Sequence, residues 1–413
     1  MAIDRKVILF LLCLVFFSPF KAYAVEKDSR VMVFQGGGAS IAMFLGMLAA
    51  FEDHGRPPDL IIGSCGGSIA AVIAHVFDSR RERMNIVRSK QFYNLIKNIT
   101  PHENYETLTQ GLRLIGKLYS KYKIRQKIPD IWNEYLFDIP QDLDIDLPMD
   151  VFTDKRPRIV IIAGKAIYNE EDVHQKRKGG KLFQQVLFTD SATAKSLRKF
   201  ISPLSQIQNS TVLAEVDVIT DVGLRDAARA SIADSFYLSP KEIKGEWFVA
   251  GTIDLFPLEL ARTLADEVAM NKRSSFSWFA KGMFWASYNI DINERRHKVF
   301  NSTIDYLIDT ERIPGHLHFM HWPNWSEWEI ESRLPSNYNA YVTRVAQQFR
   351  FGYNRASMAI WNNRDTDLLG ETRIPSNQSP EILFNFLYSE RMKKSDFLTE
   401  DNRPLHSTVN NRN

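Results

Sequence analysis

The chain has 413 residues, with 44% hydrophobic and 24% charged side chains, and 52 Lys and Arg against 49 Asp and Glu give a formal charge of +3. That length and apolar content suit a large buried core and exclude a disordered or fibrous chain. The near-neutral balance carries no electrostatic footprint for nucleic acid.

In chain order, Arg5 and Lys6 precede an apolar run from Val7 to Phe17, then Ser18-Pro19 and Ala22-Tyr23-Ala24. This pattern reads as a secretory signal over residues 1–24, cleaved after Ala24 to leave Val25 first, because the run is short for a membrane span and ends in an A-x-A site. The export reading predicts a periplasmic or secreted protein. Cleavage would remove Cys13 with Asp4, Arg5, Lys6 and Lys21, taking the charge from +3 to +1 and leaving Cys65 as the one thiol. A single cysteine makes no internal disulfide.

Arg30 to Phe34 predicts a buried strand, and Gln35-Gly36-Gly37-Gly38-Ala39-Ser40 follows as a glycine loop. Met43, Phe44, Met47, Leu48 and Phe51 then recur at helical spacing up to Glu52-Asp53-His54-Gly55. A second short strand, Leu60 to Ile62, runs into Gly63-Ser64-Cys65-Gly66-Gly67-Ser68 and an apolar helix. Strand, sharp glycine corner and helix form the layout of a nucleophile elbow, with cysteine where a serine hydrolase carries its nucleophile. The helix start predicts a lowered thiol pKa, which would favour a thiolate.

Residues 80–150 predict a basic and aromatic helical insertion, and strands return at Pro157 to Ala163 and Leu182 to Thr189, around a polar loop at Asn169 to Gly180. After Pro257 the pattern predicts helix through Met270. An aromatic stretch follows, with Phe276, Trp278, Phe279, Phe284, Trp285 and Tyr288 interleaved with Lys272, Arg273 and Lys281. It suits either a second core or a lipid interface. His316 and His318 would share one face of a strand, but without an acidic or cysteine partner they predict no metal site. Residues 361–413 read as a polar, partly flexible tail with one short helix near Pro380 to Lys394. Strands alternating with helices predict an α/β fold with a mostly parallel sheet.

Several blocks together resemble the patatin-like phospholipases, α/β acyl hydrolases that use a Ser-Asp dyad. Gly36 to Ser40 through Gly46-Met47-Leu48 is similar to the family's oxyanion loop and following helix, and Pro58 to Ser68 to its elbow. Arg229-Ala230-Ser231-Ile232-Ala233, with Phe236 and Pro240, resembles the block before the catalytic Asp. Trp247 to Asp254, with Pro257, resembles the loop that holds that Asp, and Gln348 to Ala356 the closing helix. The resemblance implies a three-layer sandwich over residues 25–360. It places Cys65 at the nucleophile position, Gly37 and Gly38 in the oxyanion loop and Ala250 where the catalytic Asp stands. Ala250 cannot accept a proton. Ser40 and Ile41 replace the loop's usual basic residue and glycine, Asp254 lies beyond the catalytic point, and Ser68 reads as a packing residue. The implied partner is phospholipid or another acyl lipid, with peripheral contact at a membrane surface and no cofactor. With the dyad broken at both members, the sequence favours an exported, catalytically degenerate lipid-binding member. The alternative is an active phospholipase, lipid acyl hydrolase or acyl transferase with Cys65 as nucleophile.

Overall fold

A computed structural model describes residues 27–36, 38–103, 127–319, 321–324 and 329–368. The predicted signal segment, Gly37, residues 104–126 of the predicted helical insertion and the predicted tail helix near residues 380–394 lie outside the described residues. The chain divides into units spanning Met1–Asn363 and Arg364–Asn413, and the fold described below belongs to the first.

The strands are β1 Asp28–Phe34, β2 Leu60–Ser64, β3 Thr100–Pro101, β4 Phe137–Asp138, β5 Arg158–Ala166, β6 Phe183–Thr189, β7 Asp217–Ile219, β8 Lys241–Ile243, β9 Glu246–Val249, β10 Ala265–Lys272, β11 Tyr306–Asp309, β12 His321–Asn324 and β13 Glu329–Ser332. The helices are α1 Ile41–Asp53, α2 Gly66–Val76, α3 Arg80–Arg88, α4 Lys90–Lys97, α5 Ser191–Leu197, α6 Leu224–Ile232, α7 Leu258–Leu264, α8 Trp278–Tyr288, α9 Ile292–Phe300 and α10 Tyr338–Leu368.

The central sheet runs β11-β10-β1-β2-β5-β6-β7, with β9 added beside β5 and β8 beside β9. From β11 to β5 every neighbouring pair is parallel, and β5 meets β6 and β9 antiparallel. Parallel strands are covered on both faces, so they read as unbroken apolar runs. Met32 and Phe34 of β1 point into one layer, with α1, α2, α3, α4, α6 and α10. Val31 and Val33 point into the other, with α5, α7, α8 and α9. The result is the expected three-layer α/β architecture. Helices α1 and α10 cross in close contact, since a Cβ on Gly46 would lie 2.1 Å from the Phe349 carbonyl oxygen and one on Gly352 1.9 Å from that of Met43.

Two expectations are corrected. The helix after Pro257 stops at Leu264, and Ala265–Lys272 is a strand, with Val31 of β1 paired to Val268 and Ala269 to Tyr306 of β11. Asp266 and Glu267 disguise it by continuing the helical spacing, while Val268, Ala269 and Met270 are fully buried in the sheet. The histidines do not share a strand face: His316 sits in a 3-10 turn, Gly315–Leu317, and His318 follows it. Within the described part of the 80–150 segment, helix is present as α3 and α4, and residues 127–150 form turns around β4.

Candidate active site

The elbow forms where β2 ends. Cys65 takes φ 50 and ψ −130, a region side chains rarely adopt, and caps α2. Such strain persists only where the surroundings enforce it. A Cβ on Gly66 would lie 1.9 Å from the Gly38 carbonyl oxygen, and one on Gly67 2.0 Å from that of Phe34, so only glycine admits this contact between elbow and glycine loop. The Cys65 N–H donates to Ser231 Oγ at 3.0 Å, and Ser231 Oγ donates on to the Ile162 carbonyl of β5 at 2.6 Å. Ser68 is fully buried and its Oγ donates to the Cys65 carbonyl at 2.6 Å, the packing role expected of it.

Ser231 lies near the end of α6, and the chain turns immediately afterwards to bring Asp234 over the thiol. Cys65 Sγ donates to Asp234 Oδ2 at 3.3 Å. The turn is fixed by the Tyr237 and Leu238 N–H groups, both donating to the Asp234 carbonyl at 2.8 Å. Arg229 of α6, fully buried, holds the flanking segments by donating to the Pro140 carbonyl at 2.8 Å and the Ser239 carbonyl at 3.1 Å. The sequence reading missed Asp234. Its signal was there: a carboxylate directly after the small-residue helix Ala227 to Ala233, where an acid is costly to bury.

Ala250, fully buried, donates its N–H to the Ala233 carbonyl at 2.9 Å. The position that resembles the family's catalytic Asp is therefore bonded to the residue preceding Asp234. Among the described residues, the other Asp234 oxygen, Oδ1, is buried without a hydrogen-bond partner. Asp254 faces elsewhere: it is 1% exposed, its Oδ1 lies 3.6 Å from Arg295 Nη2, and Arg295 also pairs with Glu259 at 2.5 Å. It is a buried structural ion pair.

Burial raises the Asp234 pKa to about 7, against the lowering effect of Cys65, Thr252 and the Arg273 charge. The Cys65 thiol, 7% exposed, is pushed well above its ordinary value, first by burial and then by the Asp234 charge. This corrects the expected thiolate. The Gly66 backbone group does lower the thiol pKa, but burial and a facing carboxylate outweigh it. The site at neutral pH is a neutral thiol bonded to a carboxyl poised to accept its proton.

Cys65 and Asp234 open onto a cavity of about 540 Å³. Its lining includes Gly38 and Ile41, apolar Phe92, Leu95 and Ile99, and the polar Arg273 and His318. Gly38, with φ 64, brings the glycine loop against the elbow. The aromatic stretch divides its labour: Phe284 and Tyr288 are buried, whereas Trp278 is 58% exposed. Among the described residues no cluster of three or more His, Cys, Asp or Glu could hold a metal ion.

The family model described as Patatin-like phospholipase matches residues 32–262, more than half of the chain. Among solved structures, VipD from Legionella pneumophila is 12% identical at a TM-score of 0.34, with 89% of this chain and 75% of that one covered. The type III effector protein ExoU is 12% identical at a TM-score of 0.32, with 81% of this chain and 53% of that one covered. No curated protein matches the chain.

Proposed function

The chain belongs to the patatin-like phospholipase family, and from that membership we propose that it is an exported lipid acyl hydrolase working through a Cys65–Asp234 pair. The observation that carries this reading is the 3.3 Å hydrogen bond from Cys65 Sγ to Asp234 Oδ2 at the mouth of a large, mostly apolar cavity. It favours the active alternative over the degenerate one, because the acid missing at Ala250 has a substitute within reach of the nucleophile.

In the reaction, Asp234 Oδ2 takes the thiol proton as Sγ attacks the ester carbonyl, so no free thiolate is required. The tetrahedral oxyanion forms beside the glycine loop, where the Gly38 N–H, and Gly37 beside it in sequence, are the candidate donors. Collapse breaks the C–O bond, and the protonated Asp234 returns its proton to the departing alcohol. Water then attacks the thioester, giving its proton to Asp234. Expulsion of Sγ, reprotonated by Asp234, releases the fatty acid and restores the site. A carboxyl with a pKa near 7 suits both halves of this cycle, as base and then acid.

The exported location rests on Arg5, Lys6, the apolar run and the A-x-A site. Exposed Trp278, together with Lys281 stacked 4.8 Å from the Trp285 ring centroid, supports contact with a lipid surface. Fatty-acid release from phospholipid vesicles by the full chain, measured beside Cys65→Ala, tests the proposal. Release by wild type alone supports it, and binding of vesicles without release would return the protein to the lipid-binding reading.

A further inference from the structure

Of five basic side chains between Lys272 and Arg296, four have carboxylate partners. Lys272 pairs with Glu311 at 2.9 Å, Lys281 with Asp291 at 2.6 Å, Arg295 with Glu259 at 2.5 Å, and Arg296 with Glu311. Arg273 differs. Among the described residues no carboxylate forms an ion pair with it, and its Nη1 donates instead to the Gly36 carbonyl, with its Cζ 4.3 Å from the Phe276 ring centroid. It lines the cavity, and burial draws its pKa down to about 10 against the raising effect of the Cys65 and Asp234 charges.

Two further groups converge on the same wall. His318 and Arg333 both line the cavity, and His318 is held below its ordinary pKa by burial and by the charges of Arg273 and Arg333. It is therefore an uncharged imidazole within the fields of two guanidiniums. Glu311, the carboxylate on this wall, is already engaged by Lys272 and Arg296. Gly36 also links the wall to the chemistry, since a Cβ there would lie 2.9 Å from Cys65 Cβ.

We infer that Arg273, His318 and Arg333 form a subsite for a phosphate carried by the acyl-ester substrate, with Arg273 as its principal contact. The inference rests on the acyl-ester reading of the site. An ester carbonyl at Cys65 leaves the acyl chain for the apolar depth around Phe92 and Ile99, and a phosphate a few bonds away on the alcohol reaches the basic wall. Guanidinium groups match phosphate oxygens with paired hydrogen bonds, which strengthen where water is excluded.

The test is calorimetric binding to the Cys65→Ala protein, which removes turnover. The probes are a short-chain diether glycerol 3-phosphate, the same diether without phosphate, glycerol 3-phosphate and inorganic phosphate. The expected result is at least about tenfold tighter binding of the phosphate diether than the uncharged one, with that ratio falling below about threefold on adding Arg273→Gln or Arg333→Gln. Arg273→Lys should retain part of the ratio, so poor folding of the glutamine variant leaves two other readouts. A ratio near one in the parent, or one that survives both glutamine changes, overturns the subsite. Glycerol 3-phosphate or inorganic phosphate binding as tightly as the phosphate diether would mean a site for free anions and also overturns it. An intact ratio with no fatty-acid release from wild type would count against the hydrolase reading alone.

Discussion

Cys65 and Asp234, 169 positions apart in the chain, share a hydrogen bond in which the thiol donates to Oδ2 at 3.3 Å. The carboxylate thus stands where it can take a proton from the nucleophile during attack. Asp234→Asn keeps the shape and removes the acceptor, so kcat for ester hydrolysis should fall about 10²- to 10⁴-fold, the span typical of a general base. Steady-state kinetics with a thermal melt on the same sample checks this. Wild-type rates in the variant would remove Asp234 from the chemistry.

The same carboxyl sets the pH dependence. With its pKa raised to about 7 by burial, the base form fills as pH rises, so kcat should climb through about pH 7 and level off above it. Stability moves the other way. The folded carboxyl holds its proton more tightly than an unfolded one at its ordinary 3.8, so this group's contribution declines from about pH 4 to about pH 7. Asp234→Asn lacks that decline, and its Tm should gain on wild type across this window and then hold a constant lead. Melting both proteins from pH 4 to pH 8 gives the comparison.

Alkylation reads the thiol directly. Burial and the Asp234 charge raise the Cys65 pKa, so iodoacetamide at pH 7.5 should label it more slowly than a free thiol peptide. Asp234→Asn should speed the labelling by removing the facing charge. Labelling faster than the peptide would restore a thiolate at the helix start.

Asp254 belongs to the framework. It and Arg295 are both nearly inaccessible and lie 3.6 Å apart, so Asp254→Ala strands a buried guanidinium, although Glu259 still meets it. Breaking a buried pair of this kind destabilises by about 3–5 kcal/mol, toward the lower end where a second acid remains. Denaturant unfolding should register that loss, while kcat of the folded fraction stays within about threefold of wild type. A selective collapse of kcat would instead make Asp254 part of the chemistry.

Much of this arrangement is legible in the sequence, for identifiable reasons. Strands β1 and β2 are buried on both faces and so read as apolar runs, and the elbow declares itself through Gly63, Gly66 and Gly67. Strand β10 escapes because Asp266 and Glu267 extend the pattern of the helix before it, and only its pairing with β1 and β11 makes it a strand. Asp234 escapes because its role depends on a turn after α6 and on contact with a distant elbow. Resemblance to a family points to Ala250, whereas the acid facing Cys65 comes from the adjoining segment, whose Ala233 carbonyl accepts from Ala250. The thiol pKa was misjudged because a helix start is visible in sequence while burial and a facing charge are not.

The central claim is that Cys65 attacks an ester with Asp234 as its base, and the acyl-enzyme is its most direct witness. Intact-mass measurement after rapid quenching of the full chain with a short-chain phospholipid should reveal an added acyl group, released by hydroxylamine and mapped to Cys65. The adduct should be absent from Cys65→Ala and form far more slowly in Asp234→Asn. Fatty-acid release undiminished in Cys65→Ala, or an adduct forming as fast in Asp234→Asn as in wild type, would contradict the account.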